Sequence, residues 1–454
     1  MLANTKTSYL RGKKVLALGL ARSGKAVARA LNGIGSIVRV SEMRTDDILQ
    51  KEAVYLEKIG IEVELGKQDK DVLRDTDFII PSPGMSPNNE ILAEAIKSNI
   101  PIISEVEVAS LLTDSPIIGV TGTNGKTTTT DLISQILQRS GKAVAVGGNI
   151  GFPLTQAVID KKDSDFVVAE LSSFQLEFMR DLKPKVAVLL NISPDHIDWH
   201  GDFSAYSDAK YKIFSNQSSN DWAIVNADLK GPELQKIKSK KIFYGANEIQ
   251  DGCYVEGGII FLDKDGEVME VGPVSDIQII GKHNLENTLA AISACVVVGI
   301  GMEEIMATIR EYRGIEHRLE FVCELEGVDF YNDSKATNPE AAIEGIKSFD
   351  SPIILLAGGR NKGSAFNQLA TISKEKVKKA ILLGEASLEL ATEFKKVGVD
   401  YEIVDSIEVA AVAAFRSAEK GDVVLLSPAC ASLDMFDDYE HRGRIFKKAV
   451  GDLK

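Results

Sequence analysis

Cysteine is scarce in this chain, with four residues in 454, and Cys253, Cys295, Cys323 and Cys430 show no CxxC spacing. That excludes a disulfide framework and a paired-thiol redox motif, and leaves reduced thiols in a cytosolic protein as the expectation. Basic charge is also short: 52 Lys and Arg face 66 Asp and Glu, for a formal charge of -14. Nucleic acid and anionic membrane surfaces reward basic patches, so neither is expected as the main partner. Small anions held by a few local donors stay open. Long apolar runs are missing too, since the longest, NTLAAISACVVVGIG, falls short of the ~20 residues a membrane helix needs. Lys13 and Lys14 before VLALGLA imitate a secretory signal, but Arg22 and Lys25 follow at once, and a buried first strand explains the run better. No low-complexity tract or repeat of solenoid length is present.

What the chain does have is a βα rhythm and enough apolar residues, 44%, for real cores. KVLALGL, SIVRVSE and DFIIPSPG alternate with helical stretches near the N-terminus. DFVVAELSSFQLE, VAVLLNISPDHIDWHG and WAIVNAD follow in the middle, and SPIILLAGGRNKG, KAILLGE and GDVVLLSPACASLDMF near the end. Three α/β domains are expected, over residues 1–104, 105–314 and 315–454. The first and last are Rossmann-like, and the central one is a parallel sheet of the P-loop ATPase type. The first βα turn, GLARSG with Glu42 downstream, imitates the dinucleotide fingerprint, but Ala21 replaces the glycine that lets a pyrophosphate approach. A nicotinamide cofactor, another nucleotide-like ligand and plain architecture are all compatible with it.

The stretch GVTGTNGKTTTTDL, residues 119–132, nearly matches a phosphate-binding loop. The general form GxxxxGK[ST] wants glycine five places before Gly125, where Val120 stands. Strand, turn and helix are nevertheless in the required order, so Lys126 is expected at phosphate oxygens and Thr127 on Mg²⁺. The alternative is a turn with a capping threonine. Glu170, ending a strand-like run, suits a hard cation, or simply caps the next helix. His196 and His200 form an HxxxH pair, but without HExxH and off a helix, so zinc, an uncommitted loop and a phosphate-site role all stay open. Cys430 in SPACAS reads as packing rather than as a nucleophile. The absence of NKxD counts against a GTPase switch.

GVTGTNGKTTT, GGNIG, ELSSFQLE, NISPDHIDWHG, YSDAKYKIF, GKHNLEN, HRLE and NDSKATNP resemble the successive signatures of the Mur ligases, a family that also includes folylpolyglutamate synthetases. In that family the loop is written TGTNGK[ST]T, with its glycine displaced as here, and the resemblance spans essentially the whole chain. PSPG, NDSKATNPEA and SPACASLDMFDDYEHRG resemble the branch that adds D-glutamate to UDP-N-acetylmuramoyl-L-alanine, while the DNPR and HHP signatures of other branches are absent. The resemblance implies an ATP-dependent, acyl-phosphate-forming ligase of cytoplasmic peptidoglycan precursor synthesis, monomeric, with Mg²⁺ or Mn²⁺; folate-type glutamate addition is the nearest alternative.

By the same resemblance, Gly122, Thr123, Asn124, Gly125, Lys126, Thr127, Thr128, Thr129, Asn284, Asn287, Arg318 and Asp333 contact ATP. Thr127, Glu170, His196 and a carbamylated Lys210 hold the metal, and Lys335 approaches the acyl phosphate. Leu20, Ala21, Glu42, Arg44, Ser82, Gly84, Asn149 and Ser172 surround the UDP-sugar, and Thr337, Lys362, Ser432 and Tyr439 meet D-glutamate. Tyr439, where a Phe is common, and the extra Arg360 in GGRNKG depart from the family pattern and bear on amino-acid preference.

Overall fold

The computed structural model describes residues 5–149, 151–247, 249, 252–264 and 266–453. Three sheets carry the chain. The first orders its strands Glu62–Leu65, Ile37–Glu42, Lys14–Leu18 and Phe78–Pro81, all parallel. Lys14–Leu18 is the run that imitated a signal peptide, and its Val15 to Leu18 are buried. After it the chain turns through Gly19 into the helix Arg22–Gly33, which buries Ala26, Val27, Ala30 and Leu31 at helical spacing. A Cβ on Gly24 would lie 2.0 Å from the Gly19 carbonyl oxygen, so this helix packs on its own turn only as glycine allows.

The second sheet has nine strands. Val144–Gly148, Phe166–Glu170, Ile117–Thr121, Val186–Leu189, Trp222–Asn226, Lys240–Tyr244 and Gly252–Glu256 run parallel in that spatial order. Ile259–Lys264 and Glu267–Pro273 extend it antiparallel. Ile117–Thr121 and Val186–Leu189 are buried at every residue, as strands covered by helices on both faces must be. The third sheet orders Glu320–Leu325, Val328–Asn332, Val423–Leu426, Ile353–Gly358, Val377–Leu383 and Asp400–Ile403, parallel except for the hairpin formed by the first two.

Two compact units contain these sheets. One holds the chain up to Asp276 together with Glu286–Ile309, and therefore the first two sheets; the other holds Ile277–Leu285 and the chain from Arg310 onward. The apolar run NTLAAISACVVVGIG lies largely in the helix Lys282–Val297. No helix among the described residues is long and apolar enough to cross a membrane.

Candidate active site

The strand Ile117–Thr121 leaves the central sheet as the loop 122–125, and the helix Lys126–Arg139 begins at once. Gly125 caps that helix at φ 83, and a Cβ there would sit 2.1 Å from Asn287 Oδ1. The backbone demands glycine there, and a Cβ would also displace the Asn287 side chain. The Lys126 ammonium donates to the Gly122 and Thr123 carbonyls at 2.9 and 2.8 Å. Thr127 is half-buried in the first turn, with Thr128 and Thr129 buried behind it. Asn191, just beyond the adjacent strand Val186–Leu189, clasps the loop: its Oδ1 accepts from the Asn124 amide at 2.9 Å, and its Nδ2 donates to the Asn124 carbonyl at 3.1 Å. Thr123 Oγ1 lies 2.9 Å from the Tyr206 hydroxyl. Sequence reasoning passed over both Asn191 and Tyr206. The available signal for Asn191 was its place as the first polar residue after VAVLL.

Glu170 ends Phe166–Glu170, paired in register with Val120 just before the loop 122–125. It is 2% exposed; Oε1 accepts from Asn149 Nδ2 at 2.9 Å, and Oε2 is buried without a hydrogen-bond partner. A carboxylate oxygen left bare in the interior is costly unless something cationic meets it, and hard divalent cations take oxygen donors of this kind. The residues therefore fit a metal at this strand end. His196 begins the short helix Ile197–His200 from a left-handed position, φ 50, with its Nε2 3.5 Å from Asp195 Oδ2 and its ring 4.7 Å from that of Phe174. His200 instead lies with Nε2 3.0 Å from Ser173 Oγ. Burial first, then the charges of His196, Lys210 and Lys212, pushes its pKa down to about 4.

Lys210 is 2% exposed, and its ammonium donates to the Gly122 carbonyl at 2.8 Å, an oxygen that Lys126 also uses. Burial, followed by the charge of Lys126, lowers its pKa to about 7. Lys212, in the short 3-10 turn Lys212–Phe214 that follows the helix carrying Lys210, bonds Glu177 at 2.9 Å. The geometry thus separates two lysines that the sequence alone could not.

Around the first sheet, Glu42 is 7% exposed and accepts from the Leu20 amide at 2.9 Å, the Arg44 amide at 3.0 Å and Arg44 Nε at 3.2 Å. Burial alone would raise its pKa, but these hydrogen bonds outweigh it and hold the carboxyl below its usual range. Ala21 caps the following helix, and the Ser82 amide donates to the Leu18 carbonyl at 2.8 Å. The Gly84 carbonyl accepts from the Trp199 indole at 3.3 Å. Ser172 caps the helix Ser173–Glu177 in a capping box with Gln175.

In the second unit, Val328–Asn332, Val423–Leu426 and Ile353–Gly358 are adjacent and parallel, so the loops after them share one edge of the sheet. Those loops carry Asp333, Lys335 and Thr337, then Ser432, then Lys362. The last two loops are tied by an antiparallel bridge between Arg360 and Ala431. Arg360 forks onto Glu385 at 2.9 and 2.8 Å, so its charge is already paired. Lys362 is exposed and Ser432 buried. Asp333 is buried, accepts from Ser427 Oγ at 2.8 Å, and has its pKa pushed up to about 7 by burial. Arg318 stands between His317 and Leu319, both at positive φ. Asn284 donates to the Ile280 carbonyl at 2.7 Å. The carbonyl of Tyr439 accepts from Ser334 Oγ at 2.7 Å.

Arg442, unremarked in the sequence, is 2% exposed and donates to Ser334 Oγ, the Ser334 carbonyl and the Cys430 carbonyl at 3.0, 2.8 and 3.1 Å. It locks two of the site loops together. Cys430 itself is buried, and burial raises its thiol to about 12, the opposite of an activated nucleophile. Glu316, His317 and Glu320 cluster closely enough for a metal, but Lys447 already bridges the two carboxylates at 2.6 and 2.7 Å.

A glycine turn opening a helix beside a buried carboxylate with a bare oxygen suits a phosphate and its cation, and comparison with known proteins gives the class. Residues 13–104 match the Mur ligase MurD-like N-terminal domain, 120–295 the Mur ligase middle domain, and 317–430 the Mur ligase glutamate ligase domain. The chain belongs to the Mur ligase family, whose members are ATP-dependent and form amide bonds. A UDP-N-acetylmuramoylalanine–D-glutamate ligase of Thermoanaerobacter pseudethanolicus is 40% identical over 98% of this chain and 99% of its own. A protein of the same name from Koribacter versatilis is 42% identical over 97% of this chain and 98% of its own. Among solved structures, the UDP-N-acetylmuramate-alanine ligase MurC of Thermotoga maritima shares the fold at TM-score 0.57 and 18% identity, covering 97% of this chain and 100% of that one.

Proposed function

We propose that this chain adds D-glutamate to UDP-N-acetylmuramoyl-L-alanine at the expense of ATP, in cytoplasmic synthesis of peptidoglycan precursors. The observation that carries the reading is the convergence of Lys126, the bare Glu170 oxygen and the buried Lys210 on one end of the central sheet. The relatives named above, similar along their whole length, support the choice of substrates.

A carboxylate resists attack by an amine because oxide would have to leave. Transfer of the γ-phosphoryl group to the alanyl carboxylate forms an acyl phosphate and releases ADP; the glutamate amine then attacks the acyl carbon and phosphate departs. Amides at the start of Lys126–Arg139 and the Lys126 ammonium would spread the charge on the phosphoryl oxygens. Thr127, Glu170, His196 and a carbamate on Lys210 would hold Mg²⁺, which when bound neutralises phosphate charge. Asn287, beside Gly125, would meet the nucleotide, as would Asn284, Arg318 and Asp333 in the second unit, with Lys335 toward the acyl phosphate. Leu20, Ala21, Arg44, Ser82, Gly84, Asn149 and Ser172 would surround the UDP-sugar, and Glu42 would shape that site through the Leu20 amide and Arg44 that it binds. Thr337, Lys362, Ser432 and Tyr439 would receive D-glutamate.

Phosphate release from ATP is expected only when both the nucleotide-sugar and D-glutamate are present. A coupled phosphate assay with each substrate omitted in turn decides this, and substrate-independent turnover would contradict it. Lys362, exposed on a loop without a partner carboxylate among the described ion pairs, is free to meet the amino acid. Lys362→Ala should raise KM for D-glutamate by about tenfold, the effect of losing a charge-assisted hydrogen bond, and leave KM for ATP within about twofold. Equal rises for all substrates would remove the assignment.

A further inference from the structure

The short helix Ile197–His200 is fastened from two sides. On one, the Trp199 indole donates to the Gly84 carbonyl at 3.3 Å, reaching from the central sheet to the PSPG loop of the first. On the other, His200 Nε2 lies 3.0 Å from Ser173 Oγ, at the start of the helix that follows Glu170. Trp199 is 8% exposed, and its ring packs against Phe174 at 4.7 Å, His200 at 4.4 Å and, edge-on, Phe178 at 6.4 Å. The same Phe174 ring meets His196 at 4.7 Å.

His196 occupies φ 50, ψ 34, a region that non-glycine residues enter at a cost and keep only where surroundings enforce it. Here the enforcement comes from the helix it caps, and that helix is seated by Trp199 and His200. A displacement of the PSPG loop therefore acts on Trp199, and through Phe174 on His196. Side chains packed at interior density transmit such a shift rather than absorb it.

We propose that Trp199 is a positioning residue that couples the loop 82–84 to His196, so that occupation of the nucleotide-sugar site sets the imidazole for the phosphoryl transfer. The inference rests on the reading above, in which Ser82 and Gly84 meet the nucleotide-sugar and His196 serves the phosphate end.

The chain has two tryptophans. Trp222 lies at the start of another strand, beneath the Lys240 and Lys264 ammonium groups at 5.2 and 5.3 Å, and takes no part in the site. Trp222→Phe thus leaves Trp199 as the sole reporter. In that variant, UDP-N-acetylmuramoyl-L-alanine alone should change the emission saturably, and D-glutamate alone should not. Trp199→Phe keeps an aromatic ring and loses the donor. Its KM for the nucleotide-sugar should rise about threefold and kcat fall about as much, a combined loss of about ninefold in kcat/KM, the size of one ordinary hydrogen bond. KM for D-glutamate should stay within about twofold.

Silent emission in a catalytically active Trp222→Phe protein would overturn the coupling, as would parent-like kinetics or an equal rise in every KM for Trp199→Phe. If Trp199→Phe fails to fold, the emission titration decides alone. A parent protein that does not ligate D-glutamate to the nucleotide-sugar would instead overturn the functional reading, which separates the two failures.

Discussion

Lys210→Ala is expected to lose ligase turnover by on the order of 10²-fold or more, as when a group that stabilises transferring charge is removed, and to regain part of it with added acetate or formate. A protonated lysine beside a triphosphate's cation would repel it. The side chain is 2% exposed, contacts a carbonyl at 2.8 Å, and has its pKa lowered to about 7 by burial and by Lys126. At neutral pH a large share of such amines is unprotonated, and neutral amines add CO₂ to give a carbamate. That replaces a cation with an oxygen donor of the kind Mg²⁺ takes.

The sign of the pH effect follows from the direction of the shift. Carbamate formation needs the deprotonated amine, so recovery of activity when bicarbonate is returned to CO₂-depleted enzyme should improve as pH rises through about 7. An unshifted lysine would respond only near 10. Lys212, bonded to Glu177, is the control, and Lys212→Ala should behave as the parent. Undiminished Lys210→Ala activity in CO₂-free buffer would exclude the carbamate, and so would loss of activity that no small carboxylate restores.

The sequence made some of this legible because the relevant signals are local. Strand, glycine turn and helix are contiguous around Lys126, so the local pattern located that turn despite Val120. The apolar runs ending in Glu170 and Asn191 were equally visible as strands. What stayed hidden depends on which strand lies next to which. Asn191 reaches Asn124 across 67 residues of chain, and Arg442 reaches Ser334 across 108. No spacing within one segment reports a contact of that range. Lys210 and Lys212 differ in what the fold buries, so the local sequence could not choose between them, and only the family resemblance pointed to Lys210. The departure at Arg360 also takes on a physical meaning only in three dimensions, where Glu385 neutralises it. An arginine paired in this way shapes its loop more than it adds free charge there.

Glu170→Gln should separate catalysis from stability more sharply than any other substitution in the central sheet. The carboxylate keeps one oxygen on Asn149 and leaves the other buried and bare. In the absence of a cation, burying that charge is unfavourable, and an amide of the same shape is cheaper to bury. Thermal stability without metal is therefore expected to hold or to rise, as it commonly does when a strained functional group is neutralised. Turnover should fall by on the order of 10²-fold or more, comparable to the loss of a group that orders a metal site, and the Mg²⁺ concentration for half-maximal rate should increase. Thermal denaturation read alongside a Mg²⁺ titration of ligase activity gives both quantities on one protein. A structural carboxylate would show the reverse, with a melting temperature several degrees lower and an unaltered Mg²⁺ requirement, and that outcome would move the metal away from this strand end.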